Sequence, residues 1–465
     1  IGAPALGQPL DIVGVSSTAV HKFAEFSTGY ARPPTPDSAA FSQRFCADAD
    51  RYTGALVSSY GSLLKTPGIA RIITAQLVAR LPNGMLSLAY LLHVQFVLHS
   101  YGDAGLVLAA SCIGQAIAGP LTSRWMGRWG MRPVLILTTL VCATTVFTIA
   151  FVLMPLYLYM LVGFVGGLST PPVQPAVRTI YPKMVTSNQL TGLFALDASA
   201  QEIIWIAGPV VITFVSIQVS TVIGVIIPGV LMLVGGLWFI LSPEVGKVRI
   251  PRSRRSLGAV LRKRPVILAT IVGMLLIGGC AATEASVVSV FGHGGPQAGI
   301  VLAIWSLGSL AGGLALGHIQ ISPWALARRM VLVAIGIALA TVVAGVLSGA
   351  SSFWGLSGVL LVAGLGIAPA LGVISAIVAS SVRFSETAEA YGWVGTGQLI
   401  GAAAGSAVAG FYIDQFHAFG GFLVGTILAT LGALVAIAFH RWHPDLRGRD
   451  SSPIPDTEPV QVQPS

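Results

Sequence analysis

Charge is scarce in this chain. Only 9% of its 465 residues are Asp, Glu, Lys or Arg, and 54% are hydrophobic. A soluble globular chain carries about 25% charged residues. A deficit spread over most of the length excludes a water-soluble globule and makes lipid the solvent, in keeping with a mean hydropathy of +0.82. Cysteine is scarce too: Cys46, Cys112, Cys142 and Cys280 are scattered, with no CxxC spacing. Neither a metal site nor a disulfide framework is expected, and no cofactor. The chain has no P-loop, GxSxG or HExxH motif. ATP-driven transport within this chain and common hydrolase chemistry therefore lack support, and no enzyme activity is expected. The net charge of +9 reads as Lys/Arg bias in cytoplasmic loops, not as a nucleic-acid signal.

What the chain does have is long apolar runs, twelve of them, near 70–98, 104–124, 133–154, 156–177, 189–214, 219–241, 265–290, 297–318, 328–349, 353–380, 387–411 and 420–440. Each is long enough to cross a hydrocarbon core of about 30 Å at about 1.5 Å per residue. Open strands cannot cross lipid, so the runs are expected to be helices. The longest polar interruption, 242–264, holds eight Lys/Arg and one acid, Glu244. A basic block between two apolar halves is a cytoplasmic connector by the positive-inside rule. The predicted outer turns, 99–103, 155, 215–218, 291–296, 350–352 and 412–419, contain no Lys or Arg. Inner turns carry Arg124, Arg128 and Arg132, then Arg178 and Lys183, Arg328 and Arg329, and Arg383. Both termini are thus expected in the cytosol.

The expected domains are a disordered tail over 1–58, a six-helix bundle over 59–241, the basic linker 242–264, a second bundle over 265–440 and a tail over 441–465. The Pro-rich end, 451–465, is expected to be disordered. The first long apolar run begins near residue 69, so no secretory leader is expected before it.

The two halves echo each other. Gly114 and Gly119 correspond to Gly308 and Gly313, Gly166 and Pro171 to Gly364 and Pro369, and Gln201 and Gly208 to Gln398 and Gly405, at offsets of 194 to 198 residues. Three matches in order point to two related bundles, and parallel repeats of this kind are one architecture of carriers.

On these residues the sequence resembles the major facilitator superfamily over about 60–445. The most specific part is Ser123-Arg124-Trp125-Met126-Gly127-Arg128-Trp129-Gly130-Met131-Arg132-Pro133-Val134-Leu135. It is similar to the family's G-x-L-A-D-R-x-G-x-R signature between helices 2 and 3, with Arg128, Gly130 and Arg132 in place. Ser123 replaces the first glycine, and Gly127 the aspartate that helps latch the bundles together. The second-half copy, Gly317-His318-Ile319-Gln320-Ile321, is more degraded. Ala207-Gly208-Pro209 resembles half of the helix 5 motif of exporters. The helix 4 arginine of many drug/proton antiporters has no counterpart, since Val162 or Gly163 occupies that place. The resemblance implies an all-α membrane protein with twelve transmembrane helices in two pseudo-symmetric six-helix bundles.

Ionisable residues at membrane depth are the remaining clue. Each costs about 2.5–3.5 kcal/mol at a helix centre on insertion scales, so it needs a partner or a wet cavity. Arg80 and Asp197 both fall near the midplane. Glu202 lies a little further out, and Asp197 and Gln201 share a face at i,i+4. Arg80 is expected to pair with Asp197 or Glu202, with Asn83 and Gln201 completing the cluster. The plain alternative is a static buried pair that fixes helix packing. Glu284 in helix 7 follows a small-residue stretch, Gly278 to Thr283. His93, Gln95 and Gln174 are cavity candidates because helices 1, 4, 7 and 10 face the cavity in the superfamily. Glu386 and Glu389 are explained by the helix dipole at a helix start. The expected function is a proton-coupled secondary carrier of the inner or plasma membrane, a monomer, moving a small solute by alternating access, with export favoured over import. The alternative is a non-transporting solute sensor or scaffold that kept the carrier fold.

Overall fold

The computed structural model describes residues 63, 65–251, 256–291, 297–317, 319, 321–346, 349–447 and 452–456. The expectations for the tail 1–58, for Arg252–Arg255, for the outer turn at 292–296 and for His318 and Gln320 lie outside the described residues. The description below concerns the compact unit Ser59–Ser465.

Eleven elements are long and apolar enough to span a membrane among the described residues. They are α1 (Ile69–Leu98), α2 (Tyr101–Trp129), α3 (Met131–Phe151), α4 (Leu156–Lys183), α5 (Ser187–Gln218), α6 (Thr221–Leu241), α7 (Arg264–Phe291), α8 (Gln297–Leu316), α9 (Ala325–Val346), α10 (Ser352–Ser381) and a final helix, Thr387–Ala438. That last helix is broken by non-helical backbone at Phe416 and His417. It is therefore two passages, α11 (387–415) and α12 (418–438), which brings the total to twelve. Among the described residues the only β pairing is an isolated bridge between Arg383 and Ile454.

Three helices are interrupted where the sequence removes backbone donors or side chains. In α1 a 3-10 turn, Leu81–Gly84, contains Pro82. In α4 the helical segments Leu156–Leu168 and Val173–Ile180 flank Pro171-Pro172. In α10 the segments end at Gly364 and resume at Ile367. Proline lacks the amide that continues the helix ladder. The α4 break lets the membrane element run on to Lys183 instead of ending at the expected 177. Between α2 and α3 the chain turns at one residue, Gly130, with φ 93°. A Cβ is strained at that angle, which accounts for the glycine in the Arg128–Arg132 stretch.

The internal repeat is visible as packing. A Cβ on Gly208 of α5 would meet the Gly84 carbonyl oxygen at 2.6 Å, and one on Gly405 of α11 would meet that of Gly278 in α7 at 2.1 Å. Likewise Gly114 of α2 lies against α4 at Phe164 and Gly167, and Gly308 of α8 lies against α10 at Leu361. Small residues permit such backbone approach, which is how apolar helices associate where no hydrophobic force separates protein from lipid. By contacts, Gly364 matches Gly167 better than the expected Gly166: Gly167 sits on Ser111 and Gln115, and Gly364 on Trp305 and Ser309.

The halves meet in the part of the body nearest residues 242–264, here termed the linker end. Gly119 of α2 and Gly392 of α11 pack backbone to backbone, and Thr396 Oγ1 donates to the Ala116 carbonyl at 2.8 Å. Gly313 of α8 faces Ser199 of α5, and Gly372 of α10 faces Ala195. Part of the Pro-rich end departs from the expected disorder. Phe384 N–H donates to Ile454 O at 3.0 Å, Ile454 N–H to Val382 O at 2.9 Å, and Ser385 Oγ to Asp456 Oδ1 at 2.6 Å. Backbone groups of Val382 and Phe384, between α10 and α11, supply partners that the sequence pattern does not announce.

Candidate functional site

Asp197 is the hub of a buried network in the first half, with no exposed surface. Its Oδ1 accepts from Gln76 Nε2 at 3.0 Å and from Tyr181 Oη at 3.1 Å, and lies 3.7 Å from Arg80 Nη1. Its Oδ2 accepts from Arg178 Nε at 3.4 Å and Gln201 Nε2 at 3.2 Å. Arg80 in turn donates to Gln76 Oε1 at 2.9 Å and Gln201 Oε1 at 2.5 Å. With the Gln174 amide oxygen turned toward Arg178, it accepts from both Nη atoms at 3.0 Å. A buried carboxylate flanked by two guanidiniums needs this many partners, because an uncompensated charge in low dielectric is costly.

Arg80, Asp197, Gln201 and Gln174 are thus brought together. Asn83 is not: it is exposed in the α1 break, and Gln76, one turn before Arg80, takes the expected place. The i,i+4 spacing of Gln76 and Arg80 was the available signal. Arg178 belongs to the network and not to an inner turn, being 3% exposed. Its own i,i+4 partner, Gln174, marks the same face. A buried arginine therefore does exist in α4, well past Val162 and Gly163. His93 is packed within the first half at 3% exposure, with Nε2 3.0 Å from Ile149 O and Nδ1 3.2 Å from Thr221 Oγ1. That geometry ties α1 to α3 and α6.

Tyr391 of the second half closes the network from the linker end. The Arg178 guanidinium lies 5.6 Å from its ring centroid, Phe194 packs beside it at 6.4 Å, and its hydroxyl donates to Ser375 O at 2.9 Å.

A second polar group lies on the seam between the halves. Ser309 Oγ of α8 donates to Glu202 Oε1 of α5 at 2.8 Å. Glu202 and Glu284 both lie within electrostatic reach of Cys280 on α7. Glu284 is one turn from Cys280 on the same face of α7 and is exposed. Among the described residues no cluster of His, Cys, Asp and Glu fit to hold a metal ion is present.

The linker end holds the residues of the α2–α3 loop stretch in distinct places. Arg124 Nη1 is 3.5 Å from Glu389 Oε2 of α11, and Glu389 Oε1 accepts from Gly258 N–H in the linker at 2.7 Å. Arg132 donates to Ser242 O at the end of α6 at 3.3 Å, a favourable place for a cation. Arg128 is exposed. Gly127 lies against the linker backbone, where a Cβ would meet Pro251 O at 3.4 Å. Lys263 Nζ pairs with Glu386 Oε2 at 2.6 Å. Glu386 and Glu389 thus do more than face a helix dipole. Gly208 serves the α1–α5 contact described above, with Pro209 beside it.

Two six-helix halves with breaks in α1, α4 and α10, and a seam closed at one end, define a multi-pass carrier fold. The Major Facilitator Superfamily model matches residues 72–368 and 286–462, and the chain belongs to that family. No curated protein matches the sequence. Among solved structures, a bacterial homologue of the iron transporter ferroportin in an outward-facing state is similar at TM-score 0.65 and 12% identity, covering 80% of this chain and 98% of that one. A bacterial homologue of ferroportin in the outward-facing state with soaked iron gives TM-score 0.61 and 13% identity, with 80% and 98% covered. The human organic anion transporter MFSD10 (TETRAN) gives TM-score 0.60 and 17% identity, with 80% and 100% covered. The fold is that of secondary transporters of small solutes.

Proposed function

We propose that this protein is a proton-coupled secondary carrier that moves a small solute outward across the plasma or inner membrane, with both termini in the cytosol. The observation that carries the reading is the Glu202–Ser309 hydrogen bond, a half-buried carboxylate held across the seam by a hydroxyl. A hydroxyl neighbour tolerates either protonation state, unlike a guanidinium, so Glu202 can exchange a proton as the halves part. Asp197 is less suited to that task, because both of its oxygens are already engaged by Arg80, Arg178, Gln76, Tyr181 and Gln201. Under the positive-inside rule the linker end faces the cytosol, and closure there corresponds to an outward-open state of an alternating cycle. Arg80, Arg178 and Gln174 then form the floor beneath the solute.

The test is conformational and needs no known solute. Spin-label distances between the linker-end tips of α2 and α11 are measured from about pH 5 to about pH 9. The wild type is expected to change its open-to-closed ratio with pH, and Glu202→Gln to lose that response while folding normally. An unchanged response in Glu202→Gln removes the coupling role.

One observation favours the second reading, a sensor or scaffold that kept the fold: Arg80 is only 5% exposed, inside a filled network. That reading expects one distance population at every pH.

A further inference from the structure

An open recess separate from the seam, with a volume of about 440 Å3, lies at the linker end of the second half, between the turn into α9 and the segment after α12. Arg328, Arg441 and Arg447 line it, against the single carboxylate of Asp445. That carboxylate is already engaged by Arg447, through Nε at 3.0 Å and Nη2 at 2.7 Å. Arg328 and Arg441 are both exposed and leave positive charge in excess at the mouth.

The wall is built, not incidental. Trp324 and His440 stack with ring centroids 4.2 Å apart. His443 also lines the recess and is 4% exposed. Its Nδ1 is 2.6 Å from Pro444 O, while its Nε2 has no hydrogen-bond partner among the described residues. Burial holds this imidazole below its ordinary pKa, despite the Pro444 carbonyl. Nε2 is itself shut off from solvent, so His443 packs behind the wall of the recess and leaves ligand contact to the exposed arginines. The recess sits just before α9 begins at Ala325 and just after α12 ends. That is headgroup depth, where amphipathic aromatics such as Trp324 reside.

We propose that this recess binds an anionic phosphoryl group, presented either by a membrane phospholipid or by a phosphate in solution. Two arginines at the mouth supply the charge, and the Trp324–His440 stack supplies a wall for the adjoining apolar or glycerol part. Basic pockets at the cytoplasmic ends of transmembrane helices recognise headgroups in this way.

The test uses the purified full chain in neutral detergent and reads thermal unfolding, which is independent of transport. Dioleoyl phosphatidylglycerol, dioleoyl phosphatidylcholine and inorganic phosphate are added in separate arms. Phosphatidylglycerol is expected to raise the melting temperature by about 3 °C or more, and phosphatidylcholine to leave it unchanged. A rise with inorganic phosphate alone assigns the site to a soluble source. Arg328→Gln/Arg441→Gln is expected to lose the increment, and the charge-matched Arg249→Gln/Arg383→Gln to keep it. If the double variant folds poorly, Arg328→Gln alone is read the same way. An increment that survives in the recess variant, or no response to either anionic arm, overturns the proposal.

Discussion

Arg124 on α2 and Glu389 on α11 stand 3.5 Å apart across the two halves, and the same carboxylate accepts the Gly258 amide of the linker. One carboxylate thus ties the first half, the second half and the connector. The arginine is partly exposed, so the pair contributes about 1 kcal/mol at most. Glu389→Gln is expected to widen the spin-label distance between the linker-end tips of α2 and α11 in a few-fold larger fraction of molecules. Identical distance distributions would show that the contact is incidental.

Asp197→Asn leaves Arg80 and Arg178 buried beside a neutral amide. Breaking a buried pair from one side costs about 3–5 kcal/mol. The variant is expected to unfold at a clearly lower temperature or to fail to accumulate as a monodisperse peak in detergent. Pairing Asp197→Asn with Arg178→Gln is expected to recover part of the loss. Wild-type stability in the single variant would contradict the hub role.

Gly405→Ala places a methyl group 2.1 Å from the Gly278 carbonyl oxygen. Overpacking of this kind costs about 1–3 kcal/mol, so a lowered melting temperature is expected. Gly208→Ala, at 2.6 Å from Gly84 O, is expected to fall in the same direction. Gly410→Ala serves as the control, because nothing lies within 4 Å of its added methyl. Equal melting temperatures for Gly405→Ala and Gly410→Ala would refute the close approach.

Glu244 lies at the end of the first half, hydrogen-bonded to Arg71 at the start of α1. Burial pushes its carboxyl up, but the Arg71 hydrogen bond and the charges of Arg71 and Lys247 bring it below the ordinary carboxylate value. A carboxyl whose folded pKa is depressed stabilises the fold above its unfolded pKa, and the benefit is lost as pH falls through the folded value. The stability gap between wild type and Glu244→Gln is therefore expected to be full near about pH 7 and to close toward about pH 3. A gap that stays constant across that range would rule out the ionised pair.

Much of the fold is legible in the sequence alone. Twelve apolar runs, the basic connector and the glycine echoes between halves are properties of local composition, and lipid enforces them without regard to neighbours. The depth of Arg80 and Asp197 followed from counting residues along a helix. What counting cannot supply is facing and continuation. Pro171-Pro172 bends α4 without ending it, and so carries Arg178 into the network. A 3-10 turn at Pro82 rotates Asn83 away, leaving Gln76 and Gln201 to hold Arg80.

By itself the sequence determined a membrane-embedded, two-halved helical body, because hydropathy and charge bias act on each segment independently. Only the tertiary structure decided which polar groups meet: Asp197 with two arginines, Glu202 with Ser309, Arg124 with Glu389. Those pairings join residues from 19 positions apart, Arg178 and Asp197, to 265 apart, Arg124 and Glu389. They depend on helix rotation and on the seam between halves, and neither leaves a periodic trace along the chain.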